Sequence, residues 1–198
     1  MNKNLGVDDM GSYKKLIGEN IYLSPISVED AKAFTGWMND FNVTDYVLRS
    51  HEVMTEEVER AWLEKTQKNG DCILSIVRKE DDKVIGDVGL HNVNHINRTA
   101  TLGIFIGDNE DRNKGLGTEA IRLILDFGFN YLNLKNVNLA LLECNTRALK
   151  CYQKVGFKEY GRRRECIFLN GKYYDEIIMD ILDTEFRNEY IKNKEVKE

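Results

Sequence analysis

The sequence has little of what marks membrane, secreted or multidomain proteins. Among its 198 residues there is a single proline, Pro25, and no stretch rich in serine, glycine or proline that would form a linker. No apolar run approaches the length of a membrane span, and the N-terminus lacks the apolar core of a signal peptide. We therefore expect one main domain, located in the cytoplasm, without a membrane partner.

Cysteine is scarce, and its spacing does not suit a metal site or a disulfide framework. No two cysteines form a C-x-x-C pair. The four residues are Cys72, Cys144, Cys151 and Cys166. We expect reduced, mostly buried thiols and no bound metal.

Charge of one sign is not concentrated in any part of the chain. Lys and Arg number 28 against 33 Asp and Glu, which gives a formal net charge of -5. The short basic run "RRR" at residues 162–164 is interpreted as a solvated strand edge. Because there is no dense Lys/Arg block, we expect no nucleic-acid partner.

Helix and strand signals alternate through most of the chain. We expect a flexible N-terminal segment over residues 1–18, a single domain over residues 19–183 and a charged tail over residues 184–198. Helical patterns are frequent in the first third, hairpins fill the middle, and a strand–helix–strand–helix–strand order follows. This order predicts an α+β (mixed α/β) fold on a largely antiparallel sheet.

Local patterns predict individual elements. "NIYLSPI" is a strand, and Ser27 caps the helix that follows it. Thr55 begins a second helix whose apolar face carries Val58, Ala61 and Trp62. "CILSIVR" and "VIGDVGL" form a hairpin, "TATLGIFIG" and "VNLALL" are further strands, and the final hairpin turns at Asn-Gly.

Two glycines, Gly115 and Gly117, stand where the longest amphipathic helix has to begin. The apolar face of this helix comprises Ala120, Ile121, Ile124, Phe127, Gly128 and Tyr131. The first amides of a helix lack intrahelical partners and carry the positive end of its dipole. Glycines there allow a phosphate to lie directly on the amides, and Arg112 and Lys114 would add charge. The alternative is a simple glycine turn.

Two common phosphate-binding motifs fit this stretch poorly. A P-loop needs Lys-Ser/Thr after its last glycine, whereas Thr118-Glu119 follows here. "GLGTEA" matches the G-x-G-x-x-A of a dinucleotide-binding Rossmann fold, with Glu143 as a candidate ribose partner. In that fold the first glycine directly follows a strand, but here "DNEDRNK" intervenes. The Rossmann alternative would bind NAD.

Two motifs together resemble the GNAT superfamily of N-acetyltransferases. "RNKGLG" at residues 112–117 resembles its R/Q-x-x-G-x-G/A pyrophosphate loop. "NTRALKCYQKVGF" at residues 145–157 matches its N-x-x-A-x-x-x-Y-x-K-x-G-F signature. The resemblance covers most of residues 20–182 and is nearest the branch of ribosomal-protein N-terminal and spermidine acetyltransferases. It implies a mostly antiparallel sheet of about seven strands, splayed at a parallel pair and flanked by helices.

The resemblance also implies acetyl-CoA as acetyl donor, bound in the opening between the two parallel strands. Strand backbone would pair with the pantetheine arm, loop amides would hold the pyrophosphate, and an asparagine would bond the arm. The implied cofactor-binding residues are Ile104, Phe105, Ile106, Arg112, Asn113, Lys114, Gly115, Leu116, Gly117, Thr118 and Asn145. Asn145 also suits a helix N-cap.

The implied chemistry is direct attack of an amine on the thioester in a ternary complex. Tyr152 would protonate the leaving thiolate; the alternative for Tyr152 is a core aromatic. Family members carry a glutamate as base on the first parallel strand, but Thr101 occupies that position here. Asp87, His91 and Glu143 are the candidates to replace it, alongside a water.

The acceptor is not specified by any motif. On branch resemblance we favour a protein N-terminus over a small amine such as a polyamine, an amino sugar or an antibiotic. A non-catalytic acyl-CoA-binding module is the alternative from a different functional class. The chain is expected to be a monomer or a homodimer.

Overall fold

The computed structural model describes residues 13–69 and 72–186. The expected features at residues 1–12 and 187–198 lie outside the described residues. The strands are β1 (Leu16–Ile17), β2 (Ile21–Pro25), β3 (Cys72–Arg78), β4 (Lys83–Asn94), β5 (Thr99–Ile106), β6 (Asn136–Leu142), β7 (Lys158–Leu169) and β8 (Lys172–Leu182). The helices are α1 (Ala31–Met38), α2 (Phe41–Thr44), α3 (Glu56–Asn69), α4 (Leu116–Asn130) and α5 (Thr146–Val155).

The strands form one mixed sheet in the order β1-β2-β3-β4-β5-β6-β8-β7. Every neighbouring pair is antiparallel except β5 and β6, which run parallel. This confirms the predicted fold class. The sheet has eight strands rather than about seven, because the two residues of β1 pair with β2 at its edge. Of the described helices, none has the length and apolar character needed to cross a bilayer.

The parallel pair opens into a cleft. Pairing between β5 and β6 begins at Thr99 with Asn136 and stops at Thr101 with Asn138. Both strands continue past this point, to Ile106 and Leu142 respectively. Their remaining backbone groups therefore face a gap instead of each other.

The two faces of the sheet are covered by different helices. Helix α4 packs on one face, where Leu102, Val88 and Leu139 join the larger apolar core. Helices α1 and α3 cover part of the other face through a second core that includes Phe34 and Ile73. The predicted apolar face of α4 is correct except at its end, where Tyr131 is 73% exposed.

The predicted apolar face of α3 is wrong in two of its three positions. Val58 and Ala61 are exposed, and only Trp62 is half-buried. The residues of α3 that turn inward are Glu59, Leu63 and Thr66. Two of these are polar, because the part of the sheet beneath them is itself polar, with Ser24, Ser75 and Asp87 in one row across it. A search for apolar periodicity therefore selects the wrong face.

The remaining local predictions hold, with one exception. Ser27 caps a short 3-10 turn before α1, and Thr55 Oγ1 accepts from the Val58 amide at the start of α3. Asn170 and Gly171 both have positive φ, 48° and 79°, as a type I′ hairpin turn requires. The exception concerns the thiols, which are free but not mostly buried. Cys144 is exposed because it lies in the turn before α5, and the other three are half-buried.

Candidate active site

The gap between β5 and β6 is part of a cleft of about 560 Å³. Its walls are the diverging strands, the loop before α4, the first turn of α4 and one face of α5. Residues of α2 and the segment after it, including Tyr46, Val47 and Leu48, complete the lining. Every expected cofactor-binding residue except Lys114 lines this cleft, and so does Tyr152. Lys114 is exposed outside it.

The loop before α4 presents its amides to the cleft. Gly115 has φ of 83° and precedes the first residue of α4, and Asn113 is also left-handed, with φ of 61°. Alternating left-handed residues turn successive N–H groups toward one side, which makes an anion-binding concavity. Gly117 lies against Ile104 and Ile106, and a Cβ there would be 3.9 Å from each side chain. Gly115 is therefore needed for its φ, whereas Gly117 leaves the amides uncovered.

The segment that leads into this loop is fixed by contacts with other parts of the fold. The buried Asp111 carboxylate pairs with the Arg78 guanidinium. Trp37 Nε1 donates to Asp108 Oδ1 at 2.9 Å, and Lys83 Nζ lies 2.7 Å from Asp108 Oδ2. These contacts fix the loop before any ligand arrives, so little ordering entropy is lost on binding.

The Arg112 side chain does not have the role that its charge suggested. Its Nε donates to the Ile106 carbonyl at 3.1 Å, and its Nη2 donates to the Gly107 carbonyl at 2.7 Å. A third bond reaches the Asn42 carbonyl at 3.2 Å. The guanidinium thus ties the loop to β5 and α2, and the Arg112 amide is the group left for a phosphate.

The positive charge comes instead from α5, which the sequence analysis did not identify. Arg147, Lys150 and Lys154 all line the cleft. Their spacing of three and four residues puts them on one face of the helix. The spacing of these three residues can be read from the sequence. They lie inside the signature at residues 145–157, whose motif positions indicate only Asn145 and Tyr152 as functional residues.

Asn145 caps the helix that carries these side chains. Its Oδ1 accepts from the Ala148 amide at 3.1 Å, and its own φ of -82° and ψ of 63° are not helical. The N-cap alternative is therefore correct for the side-chain oxygen. Asn145 also lines the cleft, where its amide nitrogen remains available.

Tyr152 is 8% exposed and lies on the cleft side of α5. Its ring packs edge-on against Phe157, with 5.8 Å between the ring centroids. No hydrogen bond within the described residues engages its hydroxyl group. Burial, aided by neighbouring Cys151, raises the pKa of Tyr152 above its ordinary value. The phenol therefore stays protonated at neutral pH and can donate a proton, but it cannot act as a base.

The three candidate bases lie in different environments. Glu143 is committed elsewhere, because it accepts from the Asp175 amide at 3.0 Å and lies 3.3 Å from the Arg162 guanidinium. His91 covers Gly103, with its Nε2 2.8 Å from the position that a Cβ on Gly103 would occupy. Asp87 lies opposite Phe105 on the same face of the sheet.

Asp87 is a weaker acid than an ordinary aspartate, because its pKa is raised. Burial raises the pKa of Asp87 to about 7, with a further increase from Glu59 and a decrease from Arg49. Its carboxylate is half-buried, and no described residue donates a hydrogen bond to it. A carboxylate with this pKa could exchange protons at neutral pH.

The roof of the cleft is formed by Tyr46 and its neighbours after α2, which no sequence motif indicated. The guanidinium of Arg147 lies over the Tyr46 ring at 5.9 Å from its centroid. At the tip of the last hairpin, Asn170 Nδ2 donates to Asp45 Oδ2 at 3.2 Å. These contacts join α5 and the β7–β8 hairpin to the segment that follows α2. Such long-range contacts leave no local signal in the sequence.

Comparison with known proteins decides between the remaining alternatives. Residues 20–158 match the family model of the acetyltransferase (GNAT) domain. The chain belongs to the GNAT family. It is 29% identical over 176 residues to the probable N-acetyltransferase YjcK of Bacillus subtilis, covering 85% of this chain and 97% of that protein. It is also 29% identical over 109 residues to the ribosomal N-acetyltransferase candidate YdaF of Bacillus subtilis, covering 55% and 59% respectively.

A solved GNAT structure has the same fold. The spermidine N-acetyltransferase from Vibrio cholerae, in complex with CoA and spermine, superposes with a TM-score of 0.78 at 26% identity, covering 86% of this chain and 99% of that one. The protein is therefore an acetyl-CoA-dependent N-acetyltransferase of the GNAT family, and its acceptor is an amine. The Rossmann and non-catalytic alternatives are wrong.

Proposed function

We propose that this GNAT enzyme acetylates the α-amine of a protein or peptide N-terminus in the cytoplasm. The observation that carries the choice is the charge of the cleft. Of the described residues that line it, four are basic and one is acidic, and the acid, Asp111, is paired with Arg78. A polyamine carries several positive charges and needs carboxylates along its binding site, whereas an N-terminus carries one.

The basic side chains of α5 that line the cleft suit the acetyl donor, acetyl-CoA. Acetyl-CoA carries phosphate groups, which Arg147, Lys150 and Lys154 would attract, and the amides of residues 112–118 would hold its pyrophosphate. The backbone of Ile104, Phe105 and Ile106 would pair with the pantetheine arm in β fashion, since no neighbouring strand pairs with these residues on the β6 side. Asn145 would bond the arm from the start of α5.

Transfer would proceed by direct attack in a ternary complex. The neutral amine attacks the thioester carbonyl carbon, the C–S bond breaks, and Tyr152 protonates the CoA thiolate. The α-amino group of a peptide has a pKa near ~8, so only about one molecule in ten is neutral at pH 7. The shortage of neutral amine at pH 7 adds roughly 1.4 kcal/mol to the barrier, at about 1.4 kcal/mol per tenfold. A nearby proton acceptor would offset much of this cost.

The test compares acceptors under identical conditions. The release of free CoA thiol would be followed with acetyl-CoA and a lysine-free peptide with a free N-terminus, the same peptide with a blocked N-terminus, and spermidine. We expect transfer to the free peptide alone or with the highest kcat/KM. Transfer to spermidine but not to the peptide would overturn the proposal and favour a small-amine enzyme, the second candidate, which the likeness to the Vibrio cholerae enzyme supports.

The oligomeric state forms part of the same proposal. We expect a monomer or a homodimer in solution, as judged by light scattering coupled to gel filtration. A larger assembly would contradict this expectation.

A further inference from the structure

A polar row crosses the face of the sheet that α3 covers. Ser24 on β2, Ser75 on β3 and Asp87 on β4 occupy facing positions, and Phe105 on β5 comes next. Glu59 of α3 is 1% exposed, and its charge helps to raise the pKa of Asp87 in this row. The space between α3 and the sheet therefore contains two carboxyl groups, those of Glu59 and Asp87, which do not contribute to apolar packing.

These groups are not satisfied within the fold. Glu59 Oε2 and Ser75 Oγ are buried and have no hydrogen-bond partner among the described residues. The Asp87 carboxylate, half-buried, likewise receives no hydrogen bond from that part of the chain. Burying polar atoms without partners costs free energy, and such sites in native proteins frequently have a function. Two neighbouring carboxyl groups that repel each other when both are ionised also tend to share one proton.

Charged and titratable groups on the neighbouring elements surround the pair. Arg49 and Glu52 come from the segment before α3 and are paired with each other at 2.7 Å. Burial raises the pKa of Glu59, Arg49 lowers it, and Glu52 raises it slightly. His91 lies on the same face of β4 as Asp87, above Gly103. Arg49 is thus the nearby cation, and its charge is largely matched by Glu52.

Asp87 does not itself line the cleft, but it lies one strand away from residues that do. Asp87 faces Phe105, and Gly103 is two residues farther along β5 on the same face. Diagonal neighbours on adjacent strands are about 7–8 Å apart. Gly103 lines the cleft near its narrow end, just past the last β5–β6 pair at Thr101. Thr101 cannot accept a proton at neutral pH, and Asp87 on the neighbouring strand places a carboxyl group on the same face as Gly103.

We propose that Asp87 accepts the proton of the acceptor ammonium, directly or through one water, and that Glu59 is the positioning residue that keeps Asp87 ready to accept it. This rests on the proposed amine transfer and identifies the base for it. One proton of the ammonium passes to Asp87, and the neutral nitrogen forms its bond to the acetyl carbon. The C–S bond breaks, and the thiolate takes the Tyr152 proton. The second nitrogen proton restores Tyr152, and Asp87 releases its proton to solvent.

The experiment measures kcat against pH for the wild type and for Asp87→Asn, Asp87→Glu and Glu59→Gln. The acceptor is the lysine-free peptide, at saturating acetyl-CoA, with CoA thiol release as the readout. Asp126→Asn on the outer side of α4 is the matched control, because it makes the same chemical change away from the cleft. Melting temperatures with and without acetyl-CoA confirm that each variant is folded and still binds the donor.

We expect Asp87→Asn to lower kcat by about 10²–10⁴-fold and to remove the fall in rate at acidic pH. Asp87→Glu restores part of the rate. Glu59→Gln retains most of the rate but moves the acid limb to lower pH, because a negative neighbour no longer favours the protonated form of Asp87. A merely structural role for Glu59 would not move that limb.

Two results would overturn the inference. One is an Asp87→Asn variant that keeps both the wild-type rate and the acid limb. The other is a His91→Gln variant that loses the acid limb while Asp87→Asn retains it, which would transfer the role to His91. If the wild type acetylates spermidine and not the peptide, the acceptor proposal fails, but the same variants assayed with spermidine still decide the role of Asp87.

Discussion

Thr101 and Asn138 form the last residue pair of the parallel strands, and the Thr101 hydroxyl donates to Asn138 Oδ1 at 3.2 Å. Beyond this pair the strands separate and the cleft begins. The bond therefore closes the narrow end of the substrate cleft. The position at which relatives carry a catalytic glutamate, according to the sequence resemblance, is occupied here by a structural hydroxyl group.

Thr101→Val tests this structural role. Loss of one partly buried hydrogen bond should lower the free energy of unfolding by about 1 kcal/mol, measured by urea titration. Because valine keeps the shape of the side chain and Thr101 is no proton acceptor, kcat should change little. A large fall in kcat with unchanged stability would contradict this account, since it would place the hydroxyl in the reaction.

Tyr152→Phe tests the general acid. Removal of the hydroxyl should lower kcat by about 10²–10⁴-fold, the usual contribution of a positioned acid. The phenyl ring preserves the packing on Phe157, so the melting temperature and the stabilisation by acetyl-CoA should not fall. An unchanged turnover with the true acceptor would show that Tyr152 is not the acid.

The basic face of α5 should determine the affinity for the donor. Replacing Arg147, Lys150 or Lys154 by Gln should weaken acetyl-CoA binding by about 1 kcal/mol each, roughly fivefold in Kd. Titration calorimetry at two salt concentrations measures this, and the effect should shrink at high salt because exposed charges are screened. Lys65→Gln on α3 is the control. Equal losses in that control would mean that net charge, not this face, matters.

The half-buried Asp87 carboxylate should make the stability of the fold depend on pH. The pKa of Asp87 is about 7 in the folded chain, against an ordinary value of 3.8. Between these values the folded state binds the extra proton, so wild-type stability falls as pH rises through this range and levels off above pH 7. The loss is at most about 4 kcal/mol, at roughly 1.4 kcal/mol per pKa unit.

Asp87→Asn should remove this dependence. Melting curves at intervals from pH 5 to pH 8 should show the variant gaining on the wild type as the pH rises, and exceeding it at pH 8. Asp126→Asn should follow the wild-type curve throughout. A constant difference between Asp87→Asn and the wild type across the range would mean that Asp87 titrates normally.

The sequence allowed the fold to be predicted where local patterns govern structure. Gly115 before α4 and the Asn170-Gly171 turn have left-handed backbone conformations that few residue types adopt, so they are readable from a short stretch. The Asn145 cap is readable because few side chains place an acceptor oxygen close to the first amides of a helix. The buried face of α3 could not be predicted, because Glu59 turns inward toward a polar row assembled from three other strands.

The site was predictable to a similar degree. Motif spacing predicted that the loop residues and Tyr152 lie in one cleft, as they do. It assigned the Arg112 side chain to the phosphate, whereas that side chain donates to the carbonyls of Ile106, Gly107 and Asn42. Distinguishing Glu143 from Asp87 required tertiary contacts, since only the folded chain brings Arg162 and Asp175 to Glu143. The roof formed by Tyr46 and its neighbours arises from long-range contacts in the same way.

The most direct test is the thermal unfolding of the wild type and of Gly117→Val, with and without acetyl-CoA, with NAD as the control ligand. At about a hundred times Kd, acetyl-CoA should stabilise the wild type by roughly 2.7 kcal/mol, a shift of about 5–10 °C. Gly117→Val should fold but lose most of this shift, because its branched side chain would cover the loop amides. A wild type that acetyl-CoA does not stabilise, or a variant that keeps the full shift, would contradict the placement of the donor on this loop.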